Sequence, residues 1–447
     1  MTIELSIVPE VGNRGSVTKV DRAAYLGNLL KLRRTTDLSW LNTLRDQAYA
    51  IAQEMAIPST RDEDWRFTDL SQLVSFNWQP AAIDQPLKAC DSLVVAEAKT
   101  RLVFMNGVYQ PQRSKVTDLP DGIFVGDLSQ LSAPHLEQIS TYLGKQAGAE
   151  EVFTALNTAS LTDVAVVWVS RNAAIADPIH LVFLSRTDGQ PTFSQPRCLV
   201  IAEPGSALTL VEEFASADKH APYFSNAVTE LYVADNAQVN HTRIQWESQT
   251  AFHIGKTAVS QGRDSRYACN AIHFGAGLSR HNFEVTQLGE QADTQLMGLT
   301  LLDSDRTADT HSLIAFSKPY GTATQINKCI ADDKSHGIFN GRIYVPKLAQ
   351  QTDASQLSRN LLMSPKARID TKPQLEIVAD NVKCAHGATV SQLEDEEVFY
   401  LQSRGIGEED ARKLLKFAFA NEIIEKIPVE SLRTTLMDTV RSQSQAE

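Results

Sequence analysis

Cys384 and His386 stand two residues apart in DNVKCAHGATVSQLEDEEVFYL, residues 380 to 401, and both side chains are capable of metal binding or covalent chemistry. Thiolate and imidazole suit borderline metals such as iron and zinc, and the same two groups can serve as a nucleophile and its base. On a strand, residues two apart point to one side, so Val382, Cys384, His386, Ala388 and Val390 share a face while Lys383, Ala385, Gly387 and Thr389 share the other. A single cysteine or histidine on such an apolar face is ordinarily a satisfied core residue. The pair raises the prospect of a metal site, yet an iron–sulfur cluster normally takes four protein ligands and no further Cys or His is close in sequence. The nucleophile reading lacks a third group to orient the base. A metal site here would be half complete, with the remaining donors coming from another subunit.

The other motifs are weaker. TAFHIGKT, residues 250 to 257, ends like a phosphate-binding loop, but Thr250 replaces the first glycine and no helix start follows. GAG at 275 to 277 and GIG at 405 to 407 lack the third glycine of a dinucleotide fingerprint and read as turns. His241, His253, His273 and His281 fall in one strand-rich region, without the i, i+4 spacing of a zinc hydrolase, and each is expected to be packed or hydrogen-bonded. The acidic pairs Glu212/Glu213, Asp303/Asp305 and Asp332/Asp333 are the raw material of a polysaccharide-cleaving groove, but they read mostly as turn residues.

These residues belong to a 447-residue chain that is 43% hydrophobic and 21% charged, with a net charge of -12. That is more than one compact core usually holds, so either several domains or one extended repetitive domain is expected. Cations are not clustered, which disfavours nucleic acid as a partner. MTIELSIVPEVGNRG lacks the features of an export signal, and the most apolar run, 164 to 169, is far short of the roughly 20 residues that span a bilayer. A cytoplasmic protein is expected, with Cys90, Cys198, Cys269, Cys329 and Cys384 mostly reduced and buried.

Three regions position the candidate pair. Residues 1–155 read as a mostly helical region with a connector: Leu41, Leu44, Ala48, Ile51 and Met55 form one helical stripe, and PSTRDEDWRFTDLSQL follows it. Residues 156–390 change to short apolar or alternating segments with Gly, Asn and Asp between them, such as VAVVWVS and LYVADNAQVNHTRI. Aligning Ala292, Ala308, Ala323, Ile338, Ala354, Ile369 and Cys384 gives steps of 16, 15, 15, 16, 15 and 15 residues. Steps that short leave no room for helical crossovers, so the pattern points to a right-handed parallel β-helix with about thirty residues per coil, rather than a β-sandwich. In that register Ala354 and Gln356 lie beneath Cys384 and His386 on the last rung, and neither can complete a metal site.

Residues 391–447 are helical again. Ser391 is a candidate cap, Gly405 a helix stop, and two further stripes carry Ala411, Leu414, Leu415 and Ala418, then Leu432, Leu436 and Val440. These stripes fit either a cover over the open end of the solenoid or the surface for a second protein.

The stretch 380 to 406, together with PSTRDEDWRFTDLSQL, LVFMNGVY and SHGIFNGRIYV, closely resembles the SufB/SufD family of the SUF iron–sulfur cluster assembly system, on its SufD side. The resemblance spans nearly the whole chain. It implies a parallel β-helix between helical regions and a non-catalytic scaffold that pairs with a SufB paralogue through the β-helix ends, or with itself when alone. It further implies binding of a SufC ATPase through the C-terminal helices, around Glu396, Phe399, Tyr400, Arg404, Lys413 and Lys416. A transient iron–sulfur cluster would form at the subunit interface with help from His386 and, secondarily, Cys384, with no cluster held stably by the isolated chain and a possible part in iron acquisition. The alternatives are a SufB-type paralogue and a solitary β-helix enzyme acting on a polysaccharide.

Overall fold

The computed structural model describes residues 20–36, 38–81, 93–217 and 221–443. Its centre is a parallel β-solenoid. Among the described residues the strands form one 11-stranded and one 10-stranded sheet, and from Arg197–Ala202 onward strands consecutive in the chain alternate between the two. Leu278 stands beside Thr307, Thr307 beside His336 and His336 beside Arg368, so a coil takes 29 to 32 residues. Inward residues stack along the axis into one apolar core that includes Leu181, Leu210, Val239, Val285, Ile314, Ile343 and Ala354. Strands Thr100–Met105 and Ile123–Gly126 already extend the two sheets at the N-terminal end.

The sequence alignment is right at Ala323, Ala354 and Cys384, which are in register. It is off by one at Ile338, because Gly337 pairs with both Ala308 and Ile369, and off by two at Ala292, because Thr294 pairs with Ala323. The cause is turn length. From Leu278 onward each strand has ten residues, but the turns between them vary from four to seven. Along one edge Asn236, Asp264, Gln291, Tyr320 and Gln351 all adopt positive φ, between 57° and 64°. Each of their N–H groups donates to a carbonyl of the next coil's turn, so the left-handed conformation, unfavourable for a residue with a Cβ, is repaid by a hydrogen bond.

Helices cover the two outer faces. Helices α1 (Arg22–Leu30), α2 (Ser39–Gln53), α3 (Ala133–Ile139) and α4 (Val152–Ser160) lie on the 11-stranded sheet. Asp21 caps α1 by accepting from the Ala23 and Ala24 amides, and Leu41 and Ala48 of the expected stripe are buried. The DEDWRFTDL connector is bolted to the same sheet. Arg280 lies 3.8 Å from the Trp65 ring centre and donates to Asp309 at 2.9 Å, and Thr68 hydrogen-bonds the same carboxylate.

Helices α5 (Asp395–Ser403), α6 (Glu408–Ile424) and α7 (Glu430–Gln443) follow the last strand. Glu394 precedes α5 at the cap position, Ser391 remains in the strand, and Gly405 with φ of 89° ends the helix. They do not roof the open end. Ile423, Ile424, Ile427, Leu432, Leu436 and Val440 pack on the outer face of the 10-stranded sheet, where Leu299, Ile330 and Leu361 present an apolar strip. Lys328 fixes α6 there: its ammonium donates to Phe419 O at 2.9 Å and to the Glu422 carboxylate. Of the α6 stripe, Ala411 is buried, whereas Leu414 and Ala418 are exposed.

Candidate functional site

Because the helices lie on the flank, the last coil ends bare. Among the described residues, strand Lys383–Gln392 pairs only with Asp353–Leu362, and strand Arg368–Ile377 only with His336–Val345. Their outer edges carry backbone groups with no strand beside them, which is a template for adding another chain. Around this edge Val378, Val390 and Ile377 are 57%, 44% and 40% exposed, so apolar surface also awaits cover.

Cys384 and His386 sit on that last strand. Cys384 lies directly on Ala354 and is half-buried against the lumenal core. Burial pushes its thiol above the ordinary range, and nearby Asp353 adds to that, against a lowering hydrogen bond from the Ala354 backbone. His386 lies on Gln356, itself buried and donating to Gln325 Oε1 at 2.8 Å, but His386 is exposed. The two side chains share the axial face as the i, i+2 spacing requires, with Cα atoms about 6.6 Å apart along the strand. Among the described residues no set of three Cys, His, Asp or Glu side chains converges as a metal site. Cys198, Cys269 and Cys329 are free and buried, and Cys90 lies outside the described residues.

The expected partner residues on the C-terminal helices divide. Phe399 and Tyr400 are 70% and 57% exposed, Leu414 beside them 45%, and Arg404 stacks on the Tyr400 ring at 5.3 Å. Glu396 is exposed, and Lys413 is ion-paired with Glu409 on the preceding turn. Lys416 is a correction to the expected surface: at 8% exposure it faces the body of the protein, where the sheet side of α6 begins.

The decoys resolve as structure. All of TAFHIGKT after Thr250 lies in strand Ala251–Gln261, and no helix follows that strand directly. Asp303, Asp305, Asp332 and Asp333 are in turns, but Glu212 and Glu213 are buried in strand Ala207–Ser216 on opposite faces. Glu212 enters the lumen, where the four histidines also meet in a hydrogen-bonded column. His241 contacts Glu212 at 3.3 Å and Tyr267 Oη at 3.1 Å, with Cys269 Sγ at 3.9 Å. His253 lies between Glu247 at 2.7 Å and Arg243 at 2.6 Å, His281 bonds Thr257 and His273 bonds Gln245. Burial alone would lower His241, but the Cys269 sulfur and the Glu212 carboxylate raise it to about 9. Burial and the Arg243 charge push His273 and His281 well down. Period-two patterning could place each residue inward, but only the coil register brings residues some thirty positions apart into contact.

The family model described as SUF system FeS cluster assembly, SufBD core domain, matches residues 183–419, and that for the SufBD protein N-terminal region matches 29–181. An iron–sulfur cluster assembly SufBD family protein of Synechocystis is 44% identical over 414 residues, covering 91% of each chain. Protein ABCI7, chloroplastic, of Arabidopsis thaliana is 34% identical over 90% of this chain and 86% of its own. The iron–sulfur cluster assembly protein SufD of Escherichia coli is 30% identical over 85% of this chain and 88% of its own.

Proposed function

Since the chain belongs to the SufB/SufD family of the SUF iron–sulfur cluster assembly system, we propose that it is a non-catalytic, cytoplasmic scaffold whose open solenoid end pairs with a SufB-type subunit to complete a cluster-building site. The observation that carries this reading is the bare last coil, with His386 exposed on an unpaired strand edge. A paired partner edge would cover the apolar rim and bring donors against His386 and Cys384.

The nascent cluster is cargo. His386 offers an imidazole nitrogen at the rim, and Cys384 offers a sulfur from a half-buried position. With its titration raised, the Cys384 thiol keeps its proton at neutral pH until iron or a partner's positive charge draws it off, so cluster capture by this residue releases a proton. Two donors fall short of the four that hold a cluster, and the isolated chain therefore retains none.

A SufC-type ATPase docks on α5 and the first half of α6, where Phe399, Tyr400 and Leu414 are exposed. The solenoid has a strand where the phosphate-loop resemblance lay, so ATP acts through that subunit. Co-expression with SufB-type and SufC-type subunits, followed by size-exclusion chromatography with light scattering, tests the assembly. The proposal expects co-elution with both; a chain that stays monomeric and alone contradicts it.

A further inference from the structure

Away from the open end, a cleft of about 680 Å³ lies between the connector and the edge where the chain crosses from one sheet to the other. Its volume falls in the range of small-molecule sites, roughly 300–1,000 Å³. Phe67 and Phe76 come from the connector, Phe252 from the sheet, and Asp69 and Asp305 line the same space.

Its walls are fixed before any ligand arrives. The Tyr25 hydroxyl of α1 donates to Leu73 O at 2.9 Å and Phe76 O at 2.8 Å, holding the connector in place. Phe76 meets Phe252 edge to face with ring centres 5.7 Å apart, and Trp78 backs both rings at 5.1 and 5.8 Å. The charges in the cleft are one-sided. Asp69 accepts from the Ser71 amide and hydroxyl, and Asp305 is exposed; among the described residues neither carboxylate has an ion-pair partner. His336, also lining the cleft, is engaged by Asp370 at 2.7 Å. Arg66 and Arg368 stack on Phe67 at 5.7 and 5.9 Å, but neither lines the cleft.

We propose that this cleft binds a small organic cation, an alkylamine or alkylguanidinium, with its charged head between Asp69 and Asp305 and its alkyl body against Phe76 and Phe252. Phe76 and Phe252 give the alkyl body apolar contact, and the two carboxylates supply the charge complement for its head. A neutral ligand of the same shape keeps only the apolar contact. The proposal is independent of cluster assembly, because Asp69, Asp305, Phe76 and Phe252 lie outside the last coil and the C-terminal helices.

The probes are n-butylguanidinium and its neutral isostere N-butylurea, titrated into the full chain by calorimetry. Saturable one-to-one binding of n-butylguanidinium is expected, with N-butylurea roughly threefold to tenfold weaker, as loss of ion pairing to two exposed carboxylates implies. Asp69→Asn with Asp305→Asn, both at exposed positions, should weaken n-butylguanidinium to the level of the urea while leaving the circular dichroism spectrum unchanged. Phe76→Leu should weaken both probes. The proposal is overturned if the wild-type chain shows no saturable binding, if both probes bind equally, or if the double variant keeps the wild-type affinity.

Discussion

Inside the solenoid His241 keeps its proton to a pH well above that of a free imidazole, and this couples the lumen to folding. The folded value is about 9 against 6.5 unfolded, so the contribution, roughly 3 kcal/mol, is fully present below pH 6.5 and is lost as pH rises through 9. His273 and His281 act in the other sense: below pH 6.5 the unfolded chain takes up protons that these buried rings refuse, and stability falls with acidification. Urea unfolding midpoints should therefore peak near pH 6.5 and decline toward both sides, and His241→Gln should remove the alkaline decline. A midpoint constant from pH 6.5 to 9 in the wild-type chain counts against the column as described. None of this was visible at single positions, since each histidine by itself read as a packed residue. The Cys384 and His386 pair was legible, because spacing, face and ligand count depend only on neighbouring residues.

Among the elements, α6 has two halves with different partners. Its second half is tied to the sheet through Lys328, whose ammonium is almost wholly buried and depends on Glu422 and Phe419 O. Glu422→Ala leaves that ammonium under-compensated and should cost about 1–3 kcal/mol, with faster amide exchange confined to α6 and α7. Uniform exchange across the chain, or no loss of stability, contradicts the clamp. The first half and α5 expose Phe399, Tyr400 and Leu414. Phe399→Ala with Tyr400→Ala should change the chain's own stability by less than about 0.5 kcal/mol, yet weaken capture of a SufC-type subunit at least tenfold in a binding titration. Periodicity identified these helices but could not divide the α6 stripe into buried Ala411 and exposed Leu414 and Ala418, because an apolar stripe records that burial is wanted and not which surface provides it. Lys416 was misread for the mirror-image reason: a charged residue in the middle of an amphipathic helix can turn inward when its long apolar stem packs.

For the whole molecule, the fold was legible because a coil of two ten-residue strands leaves a regular step in the sequence, while variable turns blurred the register by one or two residues. Where the helices dock was not legible, since it depends on the apolar strip that the stacked strands build together. That docking leaves the end bare, and Val390→Glu on the exposed edge should abolish pairing with a SufB-type subunit, or self-pairing, while the chain's own unfolding midpoint stays within the error of measurement. Retained pairing would place the interface elsewhere. The open coil, on this reading, supplies part of a cluster site which a partner completes. The most direct test is the iron and acid-labile sulfide content, with the visible absorption, of the purified complex carrying His386→Ala. The complex should stay intact while its cluster content falls severalfold, and more steeply when Cys384→Ala is added. An intact complex with wild-type cluster content in the double variant would contradict it.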